Sequence, residues 1–198
     1  MQEFPSFFNV PLRDWIDSLM GWVLHNLGSG FDAIGNTILQ ILRPIEQFLL
    51  RTPWFIILLA IFLLAWWASR RWWVGLVLAV LFGLIGTFGT SSTTSYWDLS
   101  MSTLAIVITS VFISLLLGIP SGILMARSNF VQSLLKPVLD AMQTMPSFVY
   151  LVPAVMLFGL GMVPAVFATV IYAVPPVIRL TNVGIRQVPP SVIEAARA

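Results

Sequence analysis

Residues able to do acid–base, nucleophilic or metal chemistry are few in this 198-residue chain, and they do not cluster. The single histidine, His25, lies in an amphipathic stretch, where an interfacial role fits better than a ligand or a base. There is no cysteine, which excludes disulfides, thiolate zinc sites and iron–sulfur clusters. Asp98 and Asp140 fall near opposite ends of apolar runs, so no carboxylate pair sits mid-span to relay protons. The only lysine, Lys136, stands in Leu134-Leu135-Lys136-Pro137 and not in a Gly-x-x-x-x-Gly-Lys-Ser/Thr loop, so the chain has no phosphate cradle of its own. Eight tryptophans invite a cation–π cage. Six of them, Trp54, Trp66, Trp67, Trp72, Trp73 and Trp97, flank apolar runs, where indoles anchor at headgroup level. No catalytic or metal site is predicted, and energy for any work must come from a partner.

What remains is machinery for packing, bending and docking. Ser110, Ser114, Gly118 and Gly122 recur every four residues and form a ridge of small side chains that lets another helix approach closely. Met145, Pro146 and Pro153 interrupt an apolar run and mark a possible gate. Pro175-Pro176 predicts a break, and a hinge, at the end of the next run. Beyond it the chain turns polar through Arg186 and Pro189-Pro190, and Ser191 with Glu194 forms a capping-box pattern. The short helix so predicted carries Glu194-Ala195-Ala196, small on one face and polar on the other, which suits a groove in another protein.

These features need elements to hold them. With 58% hydrophobic residues, 9% charged residues and a mean hydropathy of +0.93, the chain has the composition of a polytopic membrane protein, all-α in class. A net charge of +2 with scattered basic residues gives no nucleic-acid surface. The start has neither a basic nor an apolar signal region, so insertion is expected to rely on internal spans. Residues 1–50 read as an amphipathic interfacial tail. It contains one helix opened by Pro11 and broken at Gly28-Ser29-Gly30, then a second, with Phe31, Ile34, Ile38, Ile41, Leu42, Ile45 and Phe48 on one side and a kink at Pro44. Residues 51–89 form a peripheral hairpin of two short runs, 53–68 and 72–88. Residues 90–198 form the core, with spans over 99–126, 137–160 and 163–178, a kink at Pro120, a polar connection over 127–136 and a reversal at Gly159-Leu160-Gly161. Prolines and polar groups at bilayer depth belong to a working core or to a water-lined path. With the tail outside, Arg70, Arg71, Arg127, Lys136, Arg179, Arg186 and Arg197 all face the cytoplasm, and the two opposite loops carry no Lys or Arg, as the positive-inside rule asks. Arg43 and Arg51 weigh mildly against it.

The segment 172–198 resembles the EAA loop of permease subunits of binding-protein-dependent ABC importers. Gln143-Thr-Met-Pro-Ser-Phe148 and Ile178-Arg-Leu-Thr-Asn-Val-Gly-Ile-Arg186 resemble the glycine betaine/proline, or osmoprotectant, branch. The resemblance covers residues 95–198 and implies a type I permease-like helical core. Glu194, Ala195 and Ala196 then fall in the coupling helix that docks on a cytoplasmic ATPase. It further implies a second permease subunit, as a homodimer, an extracytoplasmic substrate-binding protein, ATP bound by the partner alone, and a place in the bacterial inner membrane. The family motif runs on to a downstream glycine and an apolar patch, so it also implies a chain truncated at its C-terminus. The rivals are a permease for choline, carnitine or an amino acid, and a non-transporting scaffold whose Glu-Ala-Ala helix recruits a cytoplasmic protein. An intramembrane enzyme lacks a nucleophile with its base.

Overall fold

The computed structural model describes residues 12–88 and 95–197, so the expectations placed on Pro11, on most of the 89–96 loop and on Ala198 lie outside it. Among the described residues the chain forms eight α-helices and no strand.

Two helices organise the rest. The first, α4 (Tyr96–Arg127), starts at Ser95, whose Oγ accepts a hydrogen bond from the Trp97 amide, with Asp98 in the first turn against the exposed helix N–H groups. The second, α7 (Met162–Arg186), starts after a reversal in which Gly159 (φ +76°) and Gly161 (φ +145°) hold backbone angles that favour glycine. These are the two described helices long and apolar enough to cross a membrane singly. They pack in parallel: Ser110 lies by Val166, Gly118 by Val177, Gly122 by Thr181 and Met125 by Arg186.

A parallel pair needs a returning segment between its members. It is supplied by α5 (Asn129–Thr144) and α6 (Phe148–Phe158), bent by 95° at their junction. The Tyr150 hydroxyl donates to the Met142 carbonyl at 2.6 Å and ties the two sides of the bend. Here the structure corrects the polar connection expected over 127–136, because helix begins at Asn129. Ser128 caps it by accepting from the Val131 amide, and Leu139 buries against Met125 and Ile178, so packing recruits a stretch whose composition reads as loop.

The N-terminal region is also corrected. Residues expected as two helices form one, α1 (Leu12–Arg51), unbroken at Gly28-Ser29-Gly30 and continuing through Pro44. A helical glycine costs only about 1 kcal/mol, too little to break a helix by itself. Beyond Pro44 the helix is held by contact, with Ile38, Leu42 and Leu49 buried in one cluster with Met101, Ala105 and Val166. Ser102 donates to Glu46 at 2.8 Å across the same seam. Ile34 and Phe48, expected on this face, are exposed.

After a 101° turn, α2 (Trp54–Ser69) and α3 (Trp72–Thr87) form a hairpin around Arg70, which takes a left-handed conformation. Each has 16 residues, about 24 Å of helix against roughly 30 Å of hydrocarbon. Gly75 lets α3 approach Phe62 of α2, and Phe82 meets Trp97 edge to face at 5.7 Å, the aromatic contact between this hairpin and α4.

Two buried hydroxyls on α4, Thr109 Oγ1 and Ser114 Oγ, have no hydrogen-bond partner among the described residues. Removing an unpaired buried hydroxyl relieves a desolvation cost of about 1–3 kcal/mol. Thr109→Val and Ser114→Ala are therefore expected to hold or raise the thermal unfolding midpoint. A fall of several degrees in either would show that the hydroxyl is paired in the native protein.

Candidate coupling and gate region

Three structures converge on α7. The first is its seam with α4. Ser110, Ser114, Gly118 and Gly122 are all buried there, and Ser110 Oγ donates to the Val166 carbonyl at 3.4 Å. A methyl group on Gly118 would lie 2.6 Å from Val177 Cγ1. On Gly122 it would lie 2.6 Å from Thr181 Cβ and 2.9 Å from the Ile178 carbonyl oxygen.

The second is a polar knot at the end of α7. Arg186 Nε donates to Oδ1 of buried Asn182 at 3.0 Å, while Nη2 donates to the Met125 carbonyl and to Asn129 Oδ1, both at 3.0 Å. One guanidinium thus joins the end of α4, the start of α5 and the end of α7. Two turns back, Arg179 of α7 pairs with Asp140 of α5. The side chains are 36% and 50% exposed, so in water such a pair contributes at most about 1 kcal/mol. Asp140→Arg alone is expected to lower the unfolding midpoint by a few degrees, and the swap Asp140→Arg/Arg179→Asp to recover it. A swap no better than the single change would remove the pair from the account.

The third is an open cleft of about 630 Å³ between the α5–α6 bend and α7, lined by Met145, Pro146, Ser147, Phe148, Leu151, Ala165, Ala168, Thr169 and Tyr172. Met145 and Pro146 of the expected gate lie on it. Pro153 does not: it sits exposed within α6.

The expected break at Pro175-Pro176 is a correction. α7 runs helical through both prolines to Arg186, with Pro175 fully buried and Pro176 partly so. The prolines remove the donors that would reach the Ile171 and Tyr172 carbonyls, yet packing on α4 keeps the helix going. The actual break comes at Gln187–Pro189, directly before α8 (Pro190–Arg197). Pro190 is the first helical residue, a position that tolerates its missing N–H. Ser191, expected as the cap, therefore lies inside the first turn. Glu194 and Ala195 are exposed, Ala196 is helical, and Pro189 precedes the helix.

From the sequence, Arg186 falls in the polar stretch before the docking helix and Asp140 near the end of an apolar run, with no partner predicted for either. The motifs read there leave out Asn129, Asn182 and Tyr172. A usable signal for the knot was the Asn182–Arg186 pair, four residues apart and hence on one helix face.

Comparison with known proteins bears on what this arrangement serves. Residues 115–198 match the family described as binding-protein-dependent transport system inner membrane component. The glycine betaine/carnitine transport permease protein GbuB of Listeria monocytogenes is 44% identical over 97% of this chain and 67% of its own length. The chain belongs to this permease family. The glycine betaine transport system permease protein OpuAB of Bacillus subtilis is 42% identical over 96% of the chain and 64% of its own length. The glycine betaine/proline betaine permease protein ProW of Escherichia coli is 41% identical over 96% of the chain and 51% of its own length. The chain thus spans about half to two thirds of these permeases. Within the family, α4, α7 and the α5–α6 return lie in or overlap the matched portion, and α1 to α3 precede it.

Proposed function

We propose that this permease chain forms the transmembrane path of an ATP-binding-cassette importer that brings glycine betaine and related osmoprotectants into the cell. The observation that carries the reading is identity above 40% with three glycine betaine permeases along nearly the whole chain. The chain's own chemistry supports it, since it has no phosphate-binding loop and leaves ATP binding to a separate cytoplasmic ATPase subunit. α8, exposed around Glu194 and Ala195 and joined to α7 by a short turn, is the element offered to that subunit. A second permease copy and an extracytoplasmic binding protein complete the importer. The tail lies outside and α8 in the cytoplasm, with Arg127 and Arg186 at the shared inner end of the parallel α4–α7 pair.

In this scheme ATP draws two ATPase subunits together, and each pulls α8. α7 transmits the pull as a rigid body, because the compliant point lies at Gln187–Pro189 and not at the prolines within α7. Reconstituting the full-length permease with its ATPase and binding protein in liposomes tests the reading. ATP-dependent accumulation of radiolabelled glycine betaine is expected. ATPase stimulation by carnitine but not betaine would move the substrate assignment within the class, and no response to a broad solute panel would favour a scaffold.

A further inference from the structure

We propose that the cleft between the α5–α6 bend and α7 is a transit site for the quaternary ammonium group of the cargo. The inference rests on the importer reading and adds to it a place and a chemistry.

No residue lining this cleft carries a formal charge, and a permanent cation passing through it would have to leave its water. The lining offers the uncharged groups that can replace that water. Phe148 at the start of α6 and Tyr172 on α7 present aromatic rings from two different helices, 74% and 57% exposed. Neither ring is engaged in an aromatic pair among the described residues, whereas Phe158 and Phe167, of the same two helices, pair with each other at a tilt of 53°. Ring faces attract tetraalkylammonium groups electrostatically. Met145 adds a polarisable thioether, and Ser147 adds a hydroxyl that can donate to the carboxylate of a zwitterion. The Thr169 hydroxyl spends its proton on the Ala165 carbonyl at 2.7 Å, so its oxygen is left as an acceptor that favours the cationic end of the cargo and not its carboxylate.

The prolines of α7 supply a further feature. Pro175 and Pro176 cannot donate to the carbonyls of Ile171 and Tyr172, one turn earlier, so these lack their usual helical donor beside the cleft. A carbonyl dipole freed of its helical donor favours a cation in its vicinity. This gives the Pro-Pro pair a role in the chemistry of the cleft as well as in the shape of α7.

These 198 residues contain no cysteine, so Ser147→Cys places a unique thiol of this region in the cleft. In the reconstituted full-length transporter, with any other cysteine replaced, two methanethiosulfonates are compared, one bearing trimethylammonium and one neutral and of similar size. After correction for their rates with a free thiol, the cationic reagent is expected to react at least about fivefold faster. Phe148→Leu with Tyr172→Leu should abolish that preference, and Tyr172→Phe should keep it. Equal corrected rates in the parent would overturn the proposal. So would no reaction in any nucleotide state, the result if a second copy covers the cleft. Betaine uptake by the reconstituted transporter with Ser147 retained reports separately on the importer reading: uptake there without the charge preference at the introduced thiol sinks only the transit site.

Discussion

Alanine at Gly122 is expected to lower the thermal unfolding midpoint of the permease far more than alanine at Gly184 on the facing helix. The added methyl would meet Thr181 Cβ at 2.6 Å and the Ile178 carbonyl oxygen at 2.9 Å, and neither can move without shifting the α7 backbone. Overpacking of this kind costs roughly 1–3 kcal/mol per site. Gly118 is a near equal, because its neighbour Val177 is β-branched and held in few rotamers. Gly184 has nothing within 4 Å, and there alanine should be neutral or gain up to about 1 kcal/mol of helix propensity. Thermal unfolding in detergent distinguishes the sites. Equal midpoints for Gly122→Ala and Gly184→Ala would mean that α4 and α7 do not pack at this distance in the native protein.

Arg186→Ala is expected to reduce transport more than it reduces stability. Its guanidinium donates to Asn182, Met125 and Asn129, so its loss frees the start of α5 from the end of α7 just before the turn into α8. A pull arriving through α8 would then move α7 without carrying α5 and the bend behind it. Coupling of this kind is typically worth about 1–3 kcal/mol, so ATP-driven uptake should fall about tenfold while ATPase activity persists. Lysine should rescue poorly, since an ammonium on a flexible stem does not reproduce a planar fork reaching three oxygens. Parallel assays of uptake and hydrolysis read this directly. Uptake and hydrolysis falling in proportion would make Arg186 a structural residue only.

How far the sequence could be read depended on whether a feature was local. The four-residue spacing of Ser110, Ser114, Gly118 and Gly122 places them on one side of α4 whatever surrounds it, and that side faces α7. The reversal at Gly159 and Gly161 and the tight turn at Arg70 were equally legible, because the chain has few other ways to turn there. Misreadings came where long-range packing outweighed a local signal. Gly28, Gly30 and Pro44 looked like breaks in α1, but a glycine costs too little to end a helix, and the half that holds Pro44 is kept helical by its packing on α4. Pro175-Pro176 looked like a break, but Pro175 is buried and α7 runs helical through both prolines. Arg186 with Asn129, and Arg179 with Asp140, join residues 57 and 39 positions apart, a pairing that periodicity does not reveal.

The central claim is that an ATPase stroke enters this permease through α8. It is tested most directly by glycine betaine transported per ATP hydrolysed, in liposomes holding the full-length permease, its ATPase and its binding protein, with and without Glu194→Ala. A ratio about tenfold lower in the variant, with all subunits still co-purifying, is the predicted result. An unchanged ratio in an intact complex would contradict it and place the coupling contact elsewhere in the chain.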